Sequence, residues 1–553
     1  MHKVLYCFFF VLIASLIATI SFDVDAKGKK LTPKQMHKEL NITLELLRDQ
    51  HPNFGFYSHQ TVVNQSFNKA KREITSPLSR EEFFKRLMPL VTQVSDAHTC
   101  LDVPEKLLRR YFKLNTKVLP IVLTVHPRHA VVTKSYPVLK AGAKITSIDG
   151  RSIRRIIKDL SAFTCRDGNN QSAILDQLND GFPWFYHLAY GESSRHELVV
   201  DLPNGSLETL QVKSKRLASI LPRFARRDRQ SKKFLKTKWF NAIRTYYIDL
   251  NSFMPDKTRF QKSIGKTFKD VAKKEAKHLI LDLRGNDGGL TENAAHLLSY
   301  LVKKSFYFPR FYHLPKEKLL LPTKTKNVVP SPKGKDTHIN VANELISKVN
   351  RWMGMTTAIP GGNVLPNNST GRQKSPFKGK IHVLIDGGTA SASSMLAAHL
   401  RTHGEATFYG ADAGGIPGRN CAAPSHAYVL PHSRFELHVA WFCHLEKVTK
   451  KFSTFKPDVL FVDSKADSFK KDRLLDLVKG KIEIDSYPAI PKAKPLSLQF
   501  KQSYGSRKRI ELKKQPEPSE EMLEMDFGIP LPKPKPLSRQ FRKSYGVNAG
   551  KQS

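Results

Sequence analysis

Acidic residues are scarce in this 553-residue chain. Against 91 Lys and Arg stand only 49 Asp and Glu, a formal net charge of +42 at pH 7. An excess of that size, spread along the sequence, must cover much of the solvated surface rather than serve one site. It fits an anionic envelope surface or another polyanion. No nucleic-acid-binding motif accompanies it, so no specific nucleic-acid partner is predicted. Cysteine is also rare: five residues, none in a Cys-x-x-Cys pair or a Cys/His cluster with ligand spacing, so no metal site is expected. Beyond the N-terminus no stretch is long and apolar enough to span a bilayer.

Residues 1–26 read as a signal peptide, with an early Lys3, an apolar run from Val4 to Phe22 and short side chains at Val24-Asp25-Ala26. The chain is therefore expected to be exported, to a periplasmic or secreted location. The run exceeds the usual signal core of about 7–15 residues, which leaves an uncleaved N-terminal anchor as the alternative. Without the leader, Cys100, Cys165, Cys421 and Cys443 remain, an even number in an oxidising compartment that permits three pairings. Cys421 with Cys443 is the preferred bridge, because the two flank an expected hairpin formed by 427–430 and 435–440.

The length calls for two or three domains. Thr32-Pro33 is a cap followed by proline, ahead of Met36, Leu40, Leu44 and Leu47 at helical spacing; Ser79-Arg80-Glu81-Glu82 is a capping box before a second apolar stripe. Residues 27–112 thus read as a helical N-terminal domain, and 113–235, with short strands and turn signals, as a mainly β module. Residues 236–487 alternate strand and helix, which predicts a largely parallel sheet in a multidomain α/β protein. A surface insertion with a short helix near 341–353 is expected at 315–372. The Pro/Lys-rich residues 488–553 contain a duplicated basic peptide, Pro491–Gly505 returning as Pro532–Gly546, and read as a disordered tail able to hold an anionic surface or to act as an inert solubilising extension.

Two stretches carry chemistry. Ile381–Ile385, Gly387-Gly388 and Ser391 make a strand, a tight turn and a helix start, which presents the Ser391 hydroxyl at the end of a sheet; close packing of small residues is the competing reading. Leu279–Leu283 followed by Gly285-Asn286-Asp287-Gly288-Gly289 exposes backbone amides suited to an oxyanion hole, with Gly288 or Gly289 donating beside Ala392. A phosphate loop competes, but this loop has neither Gly-Lys-Ser/Thr nor Gly-x-Gly-x-x-Gly.

These residues resemble the C-terminal processing peptidases, or tail-specific proteases, and their non-dyad relatives such as the tricorn core protease. Asp282–Gly289 is similar to the family's Asp-Leu-Arg-x-Asn-x-Gly-Gly, and Gly388–Ser394 to its Gly-Ser-Ala-Ser-Ala-Ser-Glu, with Thr389 and Ser394 replacing Ser and Glu. The likeness runs from His51-Pro52-Asn53 and Asp96-Ala97-His98-Thr99 to Lys456-Pro457-Asp458. Gly142–Gly150 resembles a strand and turn of a PDZ-like module, which implies a β fold able to add a peptide at a sheet edge. Dyad members place a base Lys about 25 residues after the serine; here that position is Ile416, and no lysine occurs between Ser391 and Lys447. The resemblance therefore implies the branch with a histidine base, His98, and a carboxylate shortly before Pro457-Asp458. Glu446 is the choice, with Glu436 and Asp458 as fallbacks, and Asp96 as a residue that could instead be structural. His399 and His403 are read as packing or surface residues.

The resulting expectation is an exported serine peptidase acting on polypeptides through Ser391, His98 and Glu446, without metal or organic cofactor. Two rivals stand beside it: a degenerate member of the same fold that binds peptide or another ligand, and an adhesive surface protein acting through its basic repeats.

Overall fold

In a computed structural model, the described residues are 30–52, 54–102, 116–133, 138–202, 204–217, 219, 234–306, 308, 311–313, 329–330, 363–364, 376–403, 406–416, 419–422, 426–440, 442–445, 454–461 and 472–486. The leader, the duplicated tail peptide, the expected helix near 341–353 and Glu446 lie outside them.

The chain begins with α1 (Pro33–Gln50), α2 (Gln60–Glu73) and α3 (Arg80–Thr92). Both expected capping boxes form. Gln35 N–H donates to Thr32 Oγ1 at 3.3 Å while Thr32 N–H donates to Gln35 Oε1 at 2.9 Å, and Ser79 and Glu82 repeat the exchange at 3.2 and 2.7 Å. Strand β1 (Cys100–Asp102) follows. Next comes an antiparallel sheet of β2 (Leu123–Val125), β3 (Ala130–Val132), β4 (Lys144–Ile148), β5 (Arg195–Asp201) and β6 (Leu207–Lys213), paired in that order. This segment was expected to be mainly β. It also holds α4 (Ile153–Ser161) and the 20-residue α5 (Gln171–Tyr190), which departs from helical geometry at Gly181 and continues through Pro183. Helices and sheet share one hydrophobic core, in which Leu40, Phe83 and Leu87 are grouped with Ile145, Ile156 and Phe182.

Antiparallel β7 (Leu235–Phe240) and β8 (Thr245–Leu250) start the second sheet. Then α6 (Lys257–Lys273), β9 (His278–Asp282), α7 (Thr291–Ser299), β10 (Lys380–Ile385), α8 (Ala392–Thr402) and β11 (Ala406–Gly410) alternate, and β8, β9, β10 and β11 pair in parallel in that order. β9 is buried at every position, as a strand covered on both faces must be. On one face Phe260, Ile264, Leu297 and Leu396 of the three helices pack on Leu279, Leu281 and Val383. On the other, Leu474, Val478 and Ile482 of α9 (Arg473–Ser486) cover Ile280, Leu384 and Tyr409.

Between β11 and α9 the chain forms nested antiparallel pairs. Inner strands 426–429 and 436–439 are enclosed by 419–422 and 442–445, with Cys421 opposite Cys443. The expected disulfide forms there, and Cys100–Cys165 forms the second. β1 pairs with the inner strand 436–439, and Ala440 N–H donates to Thr99 Oγ1 at 3.1 Å. This stitching carries the N-terminal Asp96–Thr99 segment to the part of the chain that follows the parallel sheet. Within 315–372 the described residues are two short strand pieces, 329–330 and 363–364, which pair with strands 426–429 and 311–313.

Arg284 locks α9 to the sheet, donating through Nε to Asp282 at 2.9 Å and through Nη1 to Asp472 at 3.0 Å. Burial pushes the Asp472 carboxyl up, but the Arg284 hydrogen bonds and charge outweigh it and hold it below its usual range. Its contribution is therefore complete above the ordinary carboxylate pKa of about 4 and is lost as pH falls below that. Asp472→Asn should lower unfolding stability at neutral pH by only about 0.5–1 kcal/mol, since the partly exposed carboxylate is screened by solvent, with the difference from wild type shrinking in denaturant melts taken at acid pH.

Candidate active site

The end of β10 meets the end of β9 backbone to backbone. The turn after β10 is closed by Thr389 N–H donating to the Asp386 carbonyl at 2.9 Å and by Asp386 N–H donating to Thr389 Oγ1 at 3.0 Å. Asp386 Oδ1 accepts from Gly388 N–H at 2.9 Å and from Gly285 N–H at 2.8 Å, and Ala390 N–H donates to the Asn286 carbonyl at 3.1 Å. Glycine is required at this junction, since a β-carbon on Gly388 would lie 2.7 Å from Gly285 Cα. The two glycine-bearing loops of the sequence thus form one unit.

Close packing alone does not account for Ser391. Its backbone sits at φ 51 and ψ −127, a region that L-residues avoid, where the chain turns from strand to helix. Serine at a helix start ordinarily caps the first turn; the Ser391 side chain makes no such bond. The hydroxyl is left for other chemistry, at a sharp strand-to-helix turn of the kind that presents a nucleophile.

Gly288 lies directly against this turn. With φ at +101, its absent β-carbon would stand 2.7 Å from Ser391 Cβ and 2.8 Å from the Ala392 nitrogen. Its hydrogen side forms the floor of a cradle whose rim is the first-turn amide of α8, which has no acceptor within the helix. One expectation is corrected. Gly288 N–H is engaged by Asn286 Oδ1 at 2.9 Å, so it is not available to an oxyanion. Gly289 and Ala392 remain the expected donors, and among the described residues no backbone acceptor is found for Gly289 N–H. Asn286, fully buried, also donates through Nδ2 to the Leu250 carbonyl at 2.7 Å. Asn286→Leu leaves both groups unsatisfied and should cost about 2–4 kcal/mol in a denaturant melt, with hydrolysis falling further than stability does.

His98 is 8% exposed and follows a buried carboxylate. Asp96 Oδ1 accepts the His98 backbone N–H at 2.7 Å, and its Oδ2 lies 3.5 Å from His51 Nε2. Burial holds the His98 imidazole below its ordinary value, with Asp96 pulling it up and His51 pushing it down. Asp167 accepts Ala97 N–H at 2.9 Å, and burial together with the Asp96 charge pushes its carboxyl up to about 8.

A continuous wall connects this cluster to the serine. Asp167 also takes the backbone of Ile416, Asn170 Nδ2 donates to the carbonyls of Ala413 and Gly414 at 2.8 and 3.0 Å, and Gly415 N–H donates to the Thr389 carbonyl at 3.2 Å. A β-carbon on Gly415 would be 3.3 Å from the Ser391 nitrogen. Ile416, where dyad members of the resembled family carry lysine, is buried in this wall. Ser394 donates to the Ser391 carbonyl at 2.8 Å.

Glu446, immediately after the strand that carries Cys443, lies outside the described residues. Of the fallbacks, Asp458 accepts Phe408 N–H at 2.7 Å and pairs with Arg401 at 3.0 Å, a structural tie, and Glu436 stands opposite Asp102 in a strand pair. His399 is buried, its ring 4.7 Å from that of Phe308. Asn286, Asp386, Asp167 and His51 carry the site's architecture without having been singled out for it.

Residues 244–421 match peptidase family S41. Among solved structures, mature CPAF is similar at 13% identity and a TM-score of 0.54, over 82% of this chain and 99% of that one. Mature CPAF complexed with lactacystin gives 15% identity and a TM-score of 0.53, over 82% and 99%. Identities this low show a shared fold. No curated protein matches the chain.

Proposed function

We propose, from the match of residues 244–421 to peptidase family S41, a family of serine peptidases, that the chain hydrolyses polypeptides through an acyl-enzyme on Ser391. The observation that carries this reading is the strained Ser391 turn with Gly288 packed beneath it and the Ala392 amide beside it. Ser391 Oγ attacks the peptide carbonyl while the His98 imidazole takes its proton; the oxyanion is met by the amides of Gly289 and Ala392. The imidazolium returns the proton to the departing amine. Water then attacks the ester, His98 takes the water's proton, and collapse yields the carboxyl product and free serine. Asp96 supplies negative charge beside His98, and Glu446 is assigned to orient the ring. Met254 and Leu290, 42% and 39% exposed, stand either side of the Phe253–Gly289 bridge and offer an apolar lip to a substrate side chain. In this reading the leader exports the enzyme and the basic tail holds it to an anionic surface.

Release of new amino termini from an unfolded protein such as reduced, alkylated casein tests the reading. Turnover by wild type supports it; binding without turnover favours the degenerate alternative. Because His98 must be neutral to act as base, kcat/KM should rise with pH through an acid limb below the ordinary histidine value of about 6.5. Asp96→Asn removes the interaction that raises the His98 pKa, so its limb should move to still lower pH.

A further inference from the structure

Beside the assigned base lies a constellation of which the proposed hydrolysis uses Asp96 alone. His51 Nε2, Asp96 Oδ2 and Cys421 Sγ come from three distant stretches, all three residues are buried, and the three atoms lie within 4.8 Å of one another. The His51 to Asp96 separation is 3.5 Å. Zinc bonds of about 2.0–2.3 Å in a tetrahedral site put neighbouring ligand atoms about 3.3–3.8 Å apart, so that edge is already formed and the sulfur needs only a small approach. Imidazole, carboxylate and thiolate are zinc's ligand types. Among the described residues the polar neighbour of Asp96 Oδ2 is His51 Nε2 at 3.5 Å, beyond ordinary hydrogen-bond length, whereas Oδ1 accepts from the His98 backbone. A buried carboxylate oxygen of that kind gains much from a cation.

In the oxidised chain Cys421 Sγ is bonded to Cys443, and a disulfide sulfur is no zinc ligand. We propose that reduction of the Cys421–Cys443 bridge creates a zinc site from His51, Asp96 and Cys421. The reductant is a phosphine or a dithiol. With a phosphine, disulfide, phosphine and water give two thiols and the phosphine oxide; the Cys421 thiol then releases its proton to solvent as the metal binds. A water or Cys443 completes the coordination. Binding is independent of any catalytic role for Ser391. Its consequence rests on the proposed activity: Asp96 anchors the His98 backbone and acts on its imidazole, so a dication on Asp96 should suppress hydrolysis.

Two single variants, Cys421→Ala and Cys443→Ala, remove the same bridge but only the first removes the ligand. Titrated with cobalt(II) alone, without reductant, Cys443→Ala should take up an equimolar amount with a near-ultraviolet thiolate-to-cobalt charge-transfer band that zinc abolishes. Cys421→Ala should show no band, and His51→Ala added to Cys443→Ala should lose it. Wild type should behave like Cys443→Ala after phosphine reduction and show no band when oxidised. Equal bands in the two cysteine variants, or no band in either Cys443→Ala or reduced wild type, overturn the proposal. Loss of cobalt binding would leave turnover by the oxidised enzyme as a separate question.

Discussion

Ser391→Ala should lower kcat for peptide hydrolysis by about four to six orders of magnitude while leaving the fold intact, because the attacking oxygen disappears and nothing else in the cradle can replace it. His98→Ala should approach the same loss, and the double variant should be little worse than either single one. Such non-additivity is the mark of groups acting as a unit. The stability readout has its own sign. Alanine at 391 still has to occupy φ 51, so the strain stays and the melting temperature should change little. Ser391→Gly accepts that backbone region and should be as inactive but more stable, by about 1 kcal/mol. A large loss of stability in Ser391→Ala would mean that the hydroxyl is a packing element, as the tight-turn reading holds.

Gly288→Ala should be nearly as damaging to turnover by a different route. The new methyl lands 2.7 Å from Ser391 Cβ and 2.8 Å from the Ala392 amide, where the substrate oxygen would sit, on a residue at φ +101. Blocking one oxyanion donor costs about 100–1000-fold in kcat, and displacing Ser391 adds to that. Backbone strain should take about 1–3 kcal/mol from stability. Gly205→Ala is the control. It also has positive φ, at +84, but nothing lies within 4 Å of its β-carbon, so it should show the strain penalty with hydrolysis unchanged. Equal kcat in Gly288→Ala and wild type would remove this loop from the oxyanion hole.

How far the sequence could be read depends on the range of the interactions. Local signals were legible. The capping pairs Thr32–Gln35 and Ser79–Glu82 span three residues, and the apolar strands of the parallel sheet announce burial on both faces. Helix α2 was missed because it buries only Val63, Phe67 and Ala70 in a polar segment capped by His59. In α4 the spacing of Ile153, Ile156, Ile157 and Leu160 was helical, yet the surrounding strands and turns dominated the reading. Glycine and proline ordinarily interrupt a helix, whereas α5 absorbs Gly181 and Pro183 as a kink within its buried half. At the site, the residue types of the two loops pointed to Ser391 and the glycines. That Asn286 would consume the Gly288 amide depends on where β8 places the Leu250 carbonyl, a contact across 36 positions. The wall of Asp167, Asn170 and Gly415 depends on contacts across as many as 244 positions, and no local pattern encodes it.

The central claim is that Ser391 is a nucleophile activated by His98. A phosphonylating fluorophosphonate probe followed by peptide mass mapping tests it most directly. One adduct, on Ser391, lost in His98→Ala, is the result predicted. An adduct on another serine, or undiminished labelling of Ser391 in His98→Ala, would contradict it.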